Sequence, residues 1–365
     1  MARPNSEDEE MRPMPFQESK IVPDLSYVSR KLTKKTVVLV VSVVGFIACI
    51  ILAYTYGLDY SLLDHGIEAT GFANVSDLST FREQSSKCGR RDEIADMDIW
   101  NEAVEKSSHL IQDKFTIALQ TYQRPAQLNE TLQHLTENKI PSLHEIVIVW
   151  NDLETEPPVD YVSEFNVTVR FRRSEENSLN QKLLPDPKYA TQGVLLSDDD
   201  WNYNTTDLEF VFQHWRRHGM HRLTGAFARC YYYDKNGDPV YDLCNNKAPK
   251  YQMVLTGLTF THMSFLEYYH SEDPLMRSVR DYIDDKFNCE DIALNYVQSM
   301  LTCEGPLQVF GLVKLDHQAA KHGISSKPGH MGRRSRCLKD FKDMFGYMPL
   351  HDVDTYLRRG VISVS

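Results

Sequence analysis

The stretch Gly193-Val194-Leu195-Leu196-Ser197-Asp198-Asp199-Asp200 constrains this chain more than any other. An apolar run closes on three consecutive carboxylates. Adjacent like charges repel and burial adds to the cost, so a buried strand that ends this way needs a cation at its tip. Mg²⁺ and Mn²⁺ prefer oxygen ligands and commonly share one or two carboxylates with substrate phosphates. Open α/β sheets bind ligands at the carboxyl ends of their strands. Strand followed by Asp-x-Asp therefore reads as a metal and nucleotide-diphosphate site. The competing reading is a solvated acidic turn, or the approach to a helix that starts at Thr205, Thr206 and Asp207.

The surrounding pattern favours such a sheet. Residues 115–122 read as a strand followed by a polar turn, and Arg124-Pro125 opens a helix over 126–138 with Leu128, Leu132 and Leu135 on one face. Residues 145–150 are almost wholly apolar, as in a strand covered on both faces, and end at Asn151-Asp152. Residues 167–171 and 194–196 supply a third and a fourth strand. Strands alternating with helices give an α/β domain with a mainly parallel sheet. Gln120, Thr121, Asn151, Asp198 and Asp200 recur where strands end, which fits a nucleotide crevice.

Downstream, 208–215 reads as a helix, and 223–233 with 240–243 as the strands of a hairpin. A strand over 251–260 is broken at Gly257, where backbone can approach a ligand closely. Helices follow at 265–269, 275–282 and 292–301, and Asp291 stands in the first turn of the last, a common place for an acid. Gly329-His330-Met331-Gly332-Arg333-Arg334-Ser335-Arg336-Cys337 reads as a basic loop in a chain of net charge -11: either a solvated surface or a phosphate clamp. The acidic balance argues against a nucleic-acid partner.

The N-terminal part has a different character. Residues 1–35 are polar and Pro-containing and read as a disordered cytosolic tail ending in Arg30, Lys31, Lys34 and Lys35. Residues 36–56 are an uncharged apolar run of about 20 residues, the length that spans a bilayer. The basic flank puts the tail in the cytosol and the rest in the lumen. A cleaved signal peptide fits less well, because the run is long and starts well inside the chain. Sequons at Asn74, Asn129, Asn166 and Asn204 support a luminal body. So do six cysteines outside the apolar run, Cys88, Cys230, Cys244, Cys289, Cys303 and Cys337, which suit disulfides in an oxidising compartment. Cys230 and Cys244 flank Asn236-Gly237, a hairpin signal, so they could face each other across two strands. Residues 57–114 read as a luminal stem whose end, 98–112, could be a short helix.

With these residues in hand, the chain resembles the exostosin-like glycosyltransferases of glycosyltransferase family 64. Five blocks carry the resemblance: Leu119-Gln120-Thr121-Tyr122-Gln123-Arg124, Ile148-Val149-Trp150-Asn151, Asn177-Ser178-Leu179-Asn180, Leu196-Ser197-Asp198-Asp199-Asp200, and Asn288-Cys289-Glu290-Asp291-Ile292-Ala293-Leu294-Asn295. It implies a GT-A fold, a Rossmann-like nucleotide-sugar-binding half (115–220) fused to an acceptor-binding and catalytic half (221–365). It also implies roles. Gln120, Thr121, Tyr122, Arg124, Asn151, Asn177, Lys182, Asp198 and Asp199 would meet the nucleotide-sugar. Asp200 would bind Mn²⁺ with the diphosphate. Asp291 would lie near the anomeric centre, with Arg334 facing the phosphates. Cys289 and Cys337 match a family disulfide. Where the family commonly has arginine, this chain has Lys182, which keeps the charge but loses the bidentate fork.

The resemblance implies retaining, Mn²⁺-dependent transfer of an N-acetylhexosamine from UDP-GlcNAc or UDP-GalNAc to a glycan or glycolipid. The setting would be the Golgi or endoplasmic reticulum membrane, in a single-pass type II protein, with homo- or hetero-oligomeric assembly left open. The alternative is an inactive scaffold or partner subunit that keeps the fold; Lys182 and the sequon at Asn204, so close to the acids, favour it. Glycans are expected at Asn74, Asn129 and Asn166, and Asn204 is expected to be unmodified or turned outward.

Overall fold

The computed structural model describes residues 89–202, 204–244, 250–313, 316–317 and 327–360. The apolar run 36–56, the tail and stem before residue 89, Asn74 and Cys88 lie outside them. Among the described residues no helix is long and apolar enough to cross a membrane.

In chain order the elements begin with α1 (Arg91–Ile94), α2 (Met97–Ser107), β1 (Ile111–Thr121), α3 (Pro125–Thr136), β2 (Leu143–Trp150), β3 (Tyr161–Val162) and β4 (Thr168–Arg173). A short 3₁₀ turn, Leu179–Lys182, precedes β5 (Thr191–Asp198), β6 (Trp201–Asn202) and α4 (Thr205–His214). Next are β7 (Thr224–Gly225), β8 (Ala228–Tyr233), β9 (Pro239–Asp242), β10 (Met253–Val254) and β11 (Leu258–His262). Then come α5 (Met263–Tyr269), α6 (Pro274–Lys286), α7 (Glu290–Thr302), β12 (Leu307–Phe310), β13 (Asp316–His317), α8 (His330–Phe345) and β14 (Tyr356–Arg358).

Nine strands form the main sheet in the order β14-β12-β7-β11-β5-β1-β2-β4-β3. β1 pairs in parallel with both β2 and β5, and β2 with β4. The chain thus steps outward from β1 through β2 to β4, then returns to lay β5 on the other side of β1. That reversal makes a topological switch point between β1 and β5, where the crevice of an open α/β sheet opens. β11 then runs antiparallel to β5, so strands from both sides of residue 220 share one sheet.

Period-two alternation decides which face each side chain covers. Phe115, Ile117 and Leu119 of β1 pack with Leu195 of β5 against α3 and α4, around Phe212 and Trp215. Ala118, Val194 and Leu196 face the other way, into a core shared with α5, α7 and α8. Gly193 makes room for one large ring: a Cβ there would lie 2.7 Å from the Trp215 indole.

Two expectations are corrected. Residues 91–114, read as the end of the stem, belong to the packed body. Trp100 of α2 stacks on Phe265 with ring centroids 5.2 Å apart, which binds this helix to α5. The basic stretch 329–337 is not a loop: from His330 onward it is the first half of α8, capped by Gly329 in the left-handed region at φ 76°. The alternating hairpin does form as β8–β9, and the Cys230–Cys244 disulfide links it.

Candidate functional site

Sheet register brings the first group of side chains together. Gln120 on β1 lies directly opposite Asp198 on β5 and Val149 on β2, and Thr121 lies opposite Trp150, so Asn151 follows at the same edge. Gln120 Nε2 and Asn151 Nδ2 each donate to the Ser178 carbonyl at 2.8 Å. This fixes the segment Asn177–Lys182 over the strand ends. Asn180 anchors that segment from behind, donating to Asp284 at 2.9 Å and accepting from the Tyr269 hydroxyl at 2.6 Å. Tyr122, at the turn after β1, is 45% exposed and free to stack on a planar ligand.

The three acids have different surroundings. Asp199 is buried, and the chain engages both its oxygens: Thr121 Oγ1 donates to one at 2.7 Å and Arg124 Nη1 to the other at 2.8 Å. It braces the turn rather than offering a free carboxylate. Asp198 accepts from Lys182 Nζ at 2.7 Å. Asp200 lies 3.7 Å from Arg124, but burial, and then repulsion from Asp198 and Asp199, push its carboxyl up to about 7. Gly257 is needed here: a Cβ would stand 2.8 Å from the Asp198 carboxylate and 2.9 Å from the Trp201 indole nitrogen.

Lys182 joins this group to a second one. Its side chain is only 2% exposed, and its ammonium lies 2.7 Å from Asp198 and 3.8 Å from Glu290. Burial alone would favour the neutral amine; the two carboxylates outweigh it and raise the pKa. Glu290 and Asp291 open α7, where the helix dipole favours negative charge. Burial and the neighbouring Asp291 lift Glu290 to about 7. Burial works against Asp291 too, but the Arg334 guanidinium bonded to it holds its pKa below the usual carboxylate range. Arg334 itself lies over the Tyr241 ring, 4.3 Å from its centroid. The Cys289–Cys337 disulfide ties α7 to α8 beside this pair.

The structure therefore brings Gln120, Asn151, Asn177, Lys182 and Asp198 together at the switch point, and Lys182 links them to Asp291 and Arg334. Asp199 and Arg124 brace the acid turn. Glu290 and Tyr241 were missed by reasoning from sequence. Glu290 carried a signal, a second acid in the first turn of a helix; Tyr241 is one strand residue among many and carried none. Among the described residues, Asp291 Oδ1 and Arg334 Nε are buried without a hydrogen-bond partner, as polar atoms awaiting a polar ligand would be. No group of three or more His, Cys, Asp or Glu side chains among the described residues could hold a metal unaided. The adjacent carboxylates of Asp198 and Asp200 nonetheless suit a hard divalent cation that takes its remaining oxygens from a diphosphate. Asn129 and Asn166 are exposed. Asn204 caps α4, accepting from the Thr206 and Asp207 amides at 3.1 and 3.2 Å.

A crevice at the switch point of an α/β sheet, with acids at its strand ends and a buried arginine–carboxylate pair nearby, marks the class of α/β proteins that bind ligands at the carboxyl ends of their strands. Comparison with known proteins gives the family. Residues 115–360 match the glycosyl transferase family 64 domain, and the chain belongs to that family. It is 31% identical over 239 residues to the exostosin-like-3 homolog of Caenorhabditis elegans, covering 66% of this chain and 28% of that protein. It is 33% identical over 247 residues to glucosamine inositolphosphorylceramide transferase 1 of Arabidopsis thaliana, covering 65% of this chain and 31% of that one. Against human exostosin-like 2 the identity is 27% over 253 residues, covering 65% of this chain and 74% of the relative. The chain spans about a third or less of the length of the first two relatives.

Proposed function

We propose that this chain is a retaining glycosyltransferase that moves an N-acetylhexosamine from UDP-GlcNAc or UDP-GalNAc to a glycan or glycolipid hydroxyl. The work would be done in the lumen of the Golgi or endoplasmic reticulum, with residues 36–56 as the anchor. The observation that carries the reading is the buried Lys182 ammonium, which spans Asp198 at the strand ends and Glu290 beside Asp291. It joins a diphosphate-binding edge to a catalytic pair in one polar seam. Family membership and the name of the Arabidopsis relative, a glucosamine transferase with a lipid-linked acceptor, support the donor and acceptor classes.

In this reading Tyr122 and Asn151 hold the uridine, and Gln120 and Asn177 help position the donor. Asp200, with Asp198, would hold Mn²⁺, which when bound supplies Lewis-acid neutralisation of the diphosphate. The bond from C1 to the phosphate oxygen breaks, and UDP leaves with the electron pair. Lys182 and Arg334 stabilise the charge that develops on it by charge-assisted hydrogen bonds. The acceptor oxygen bonds to C1 and gives its proton to the departing phosphate oxygen, which gains basicity as the old bond breaks. Asp291, kept ionised by Arg334, stabilises the positive charge at the anomeric carbon.

The test is UDP release from a panel of UDP-sugars by the full chain, with and without Mn²⁺, alongside UDP binding by calorimetry. Release from UDP-GlcNAc or UDP-GalNAc that chelator abolishes is the expected result. Folded protein that binds neither UDP nor Mn²⁺ would remove the catalytic reading and leave the scaffold in its place.

A further inference from the structure

One edge of the main sheet, at β3, exposes apolar side chains. β3 is the terminal strand, so one side of its backbone is unpaired by the sheet. Around it Val159 is 88% exposed, Val162 59%, Tyr161 42% and Phe165 40%. An open edge with a cluster of apolar side chains is a template for pairing with another chain; Pro157, Pro158, Asp160 and Glu164 flank this one and leave the apolar side chains among them exposed.

The same hairpin carries a sequon. The turn from β3 to β4 closes with the Asn166 amide donating to the Ser163 carbonyl at 2.9 Å, and Ser163 N donating back to the Val167 carbonyl at 2.9 Å. Asn166 stands in the left-handed region at φ 61°, which asparagine tolerates better than most residues. Asn166 and Thr168 of Asn166-Val167-Thr168 are both exposed, and Thr168 pairs with Val162 across the hairpin. Asn166 is thus presented on a tight turn within the apolar cluster.

We propose that Asn166 carries an N-linked oligosaccharide whose function is to cover this sheet edge and keep the chain from associating through it. The inference rests on the luminal placement above. In the transfer step the Asn166 Nδ2 bonds to the anomeric carbon of an oligosaccharide held on a lipid diphosphate. The bond from that carbon to the phosphate oxygen breaks, the lipid diphosphate leaves with the electron pair, and the amide gives up one proton. The sugar rings place a hydrated, bulky group where a second strand would otherwise dock.

The test uses the full chain produced in cells with an N-glycosylation pathway and purified in detergent. Peptide mass spectrometry after enzymatic deglycosylation reads occupancy at Asn129 and Asn166 separately, and sedimentation reads self-association. Expected are an occupied Asn166, its loss in both Thr168→Ala and Asn166→Asp, and a several-fold larger self-associated fraction in each. Adding Val162→Lys to Thr168→Ala should return the sedimentation profile to that of the parent, because a charge on the edge does what the glycan did. An occupied Asn129 with a bare Asn166 overturns this proposal and leaves the luminal reading standing. Both sites bare overturns this proposal as well. Occupied Asn166 with unchanged sedimentation in both variants, or association that Val162→Lys does not reverse, overturns the covering role.

Discussion

Two groups of acids meet in this molecule and are held in different ways. At the end of β5, three carboxylates face two cations, Arg124 and Lys182. At the start of α7, Glu290 and Asp291 face Arg334 and the shared Lys182. In the helix group Arg334 keeps Asp291 ionised beside a disulfide that joins the two helices, and the carboxyl left over is Glu290, lifted to about 7. In the strand-end group burial raises Asp199 in spite of Arg124, and Asp200 is pushed up to about 7. One region carries a covalently braced ion pair; the other, in the proposed function, accepts a cation and a diphosphate.

The largest effect should come from breaking the braced side. Asp291→Ala leaves the buried Arg334 guanidinium unpaired and should cost about 3–5 kcal/mol of stability, read by chemical denaturation. UDP release should fall at least a hundredfold. A stable, active variant would show that the pair is not the centre of the site. Replacing both Cys289 and Cys337 by serine should cost about 2–5 kcal/mol, because the bridge closes a long segment of chain. The separation is 48 residues. If the helix group is locked covalently, donor release should fall along with stability.

Asp200→Asn sharpens the contrast, since here the sign reverses. A carboxyl whose folded pKa lies above its unfolded value holds its proton more tightly in the native state. Its contribution is full below 3.8, falls as pH rises towards about 7, and stays lost above that. Without added metal, Asp200→Asn should therefore unfold at a higher temperature than the parent at pH 8 and at a similar one near pH 4. Added Mn²⁺ should raise the parent's melting temperature at pH 8 and leave the variant's unchanged. Equal pH profiles would mean that the strand-end group carries no surplus charge.

Gly257→Ala should act more mildly. The new methyl would displace the Asp198 carboxylate from its present position. UDP affinity measured by calorimetry with Mn²⁺ should drop about tenfold, or ~1.4 kcal/mol. Smallest is Glu290→Gln, which leaves Asp198 to hold Lys182 alone. Because Glu290 is also raised to about 7, its neutral replacement should flatten the fall in stability between pH 5 and pH 8. A stability curve as steep as the parent's would assign that fall to Asp200 alone.

Much of this was legible along the chain. β1, β2 and β5 declare themselves through apolar runs of strand length, and the polar residues that end them mark the crevice edge. The Cys230–Cys244 hairpin follows from a turn signal between two alternating segments. α8 is harder to read, because its first turns, His330 to Arg336, hold Gly332, three arginines and a single large apolar side chain, Met331; its buried stripe becomes regular only at Cys337, Leu338, Phe341 and Phe345. α2 reads as stem because residues 57–114 mix polar, Ser-rich pieces with no sustained period; packing of Trp100 on Phe265 and Tyr268 is what fixes it to the body.

The sequence by itself determined the alternation of strands and helices, the acids at a strand end and the acids at a helix start, because each depends on neighbours a few residues apart. Tertiary structure decided which of those acids share a cation. Lys182, Asp198 and Glu290 are separated by 16 and 92 residues along the chain, and no local period relates them. They meet because the chain reverses at the β1–β5 switch point and because α7 packs where its first turn faces Lys182. Desolvation and charge balance depend on that packing, so the raised Asp200 and Glu290 and the lowered Asp291 arise only in the fold.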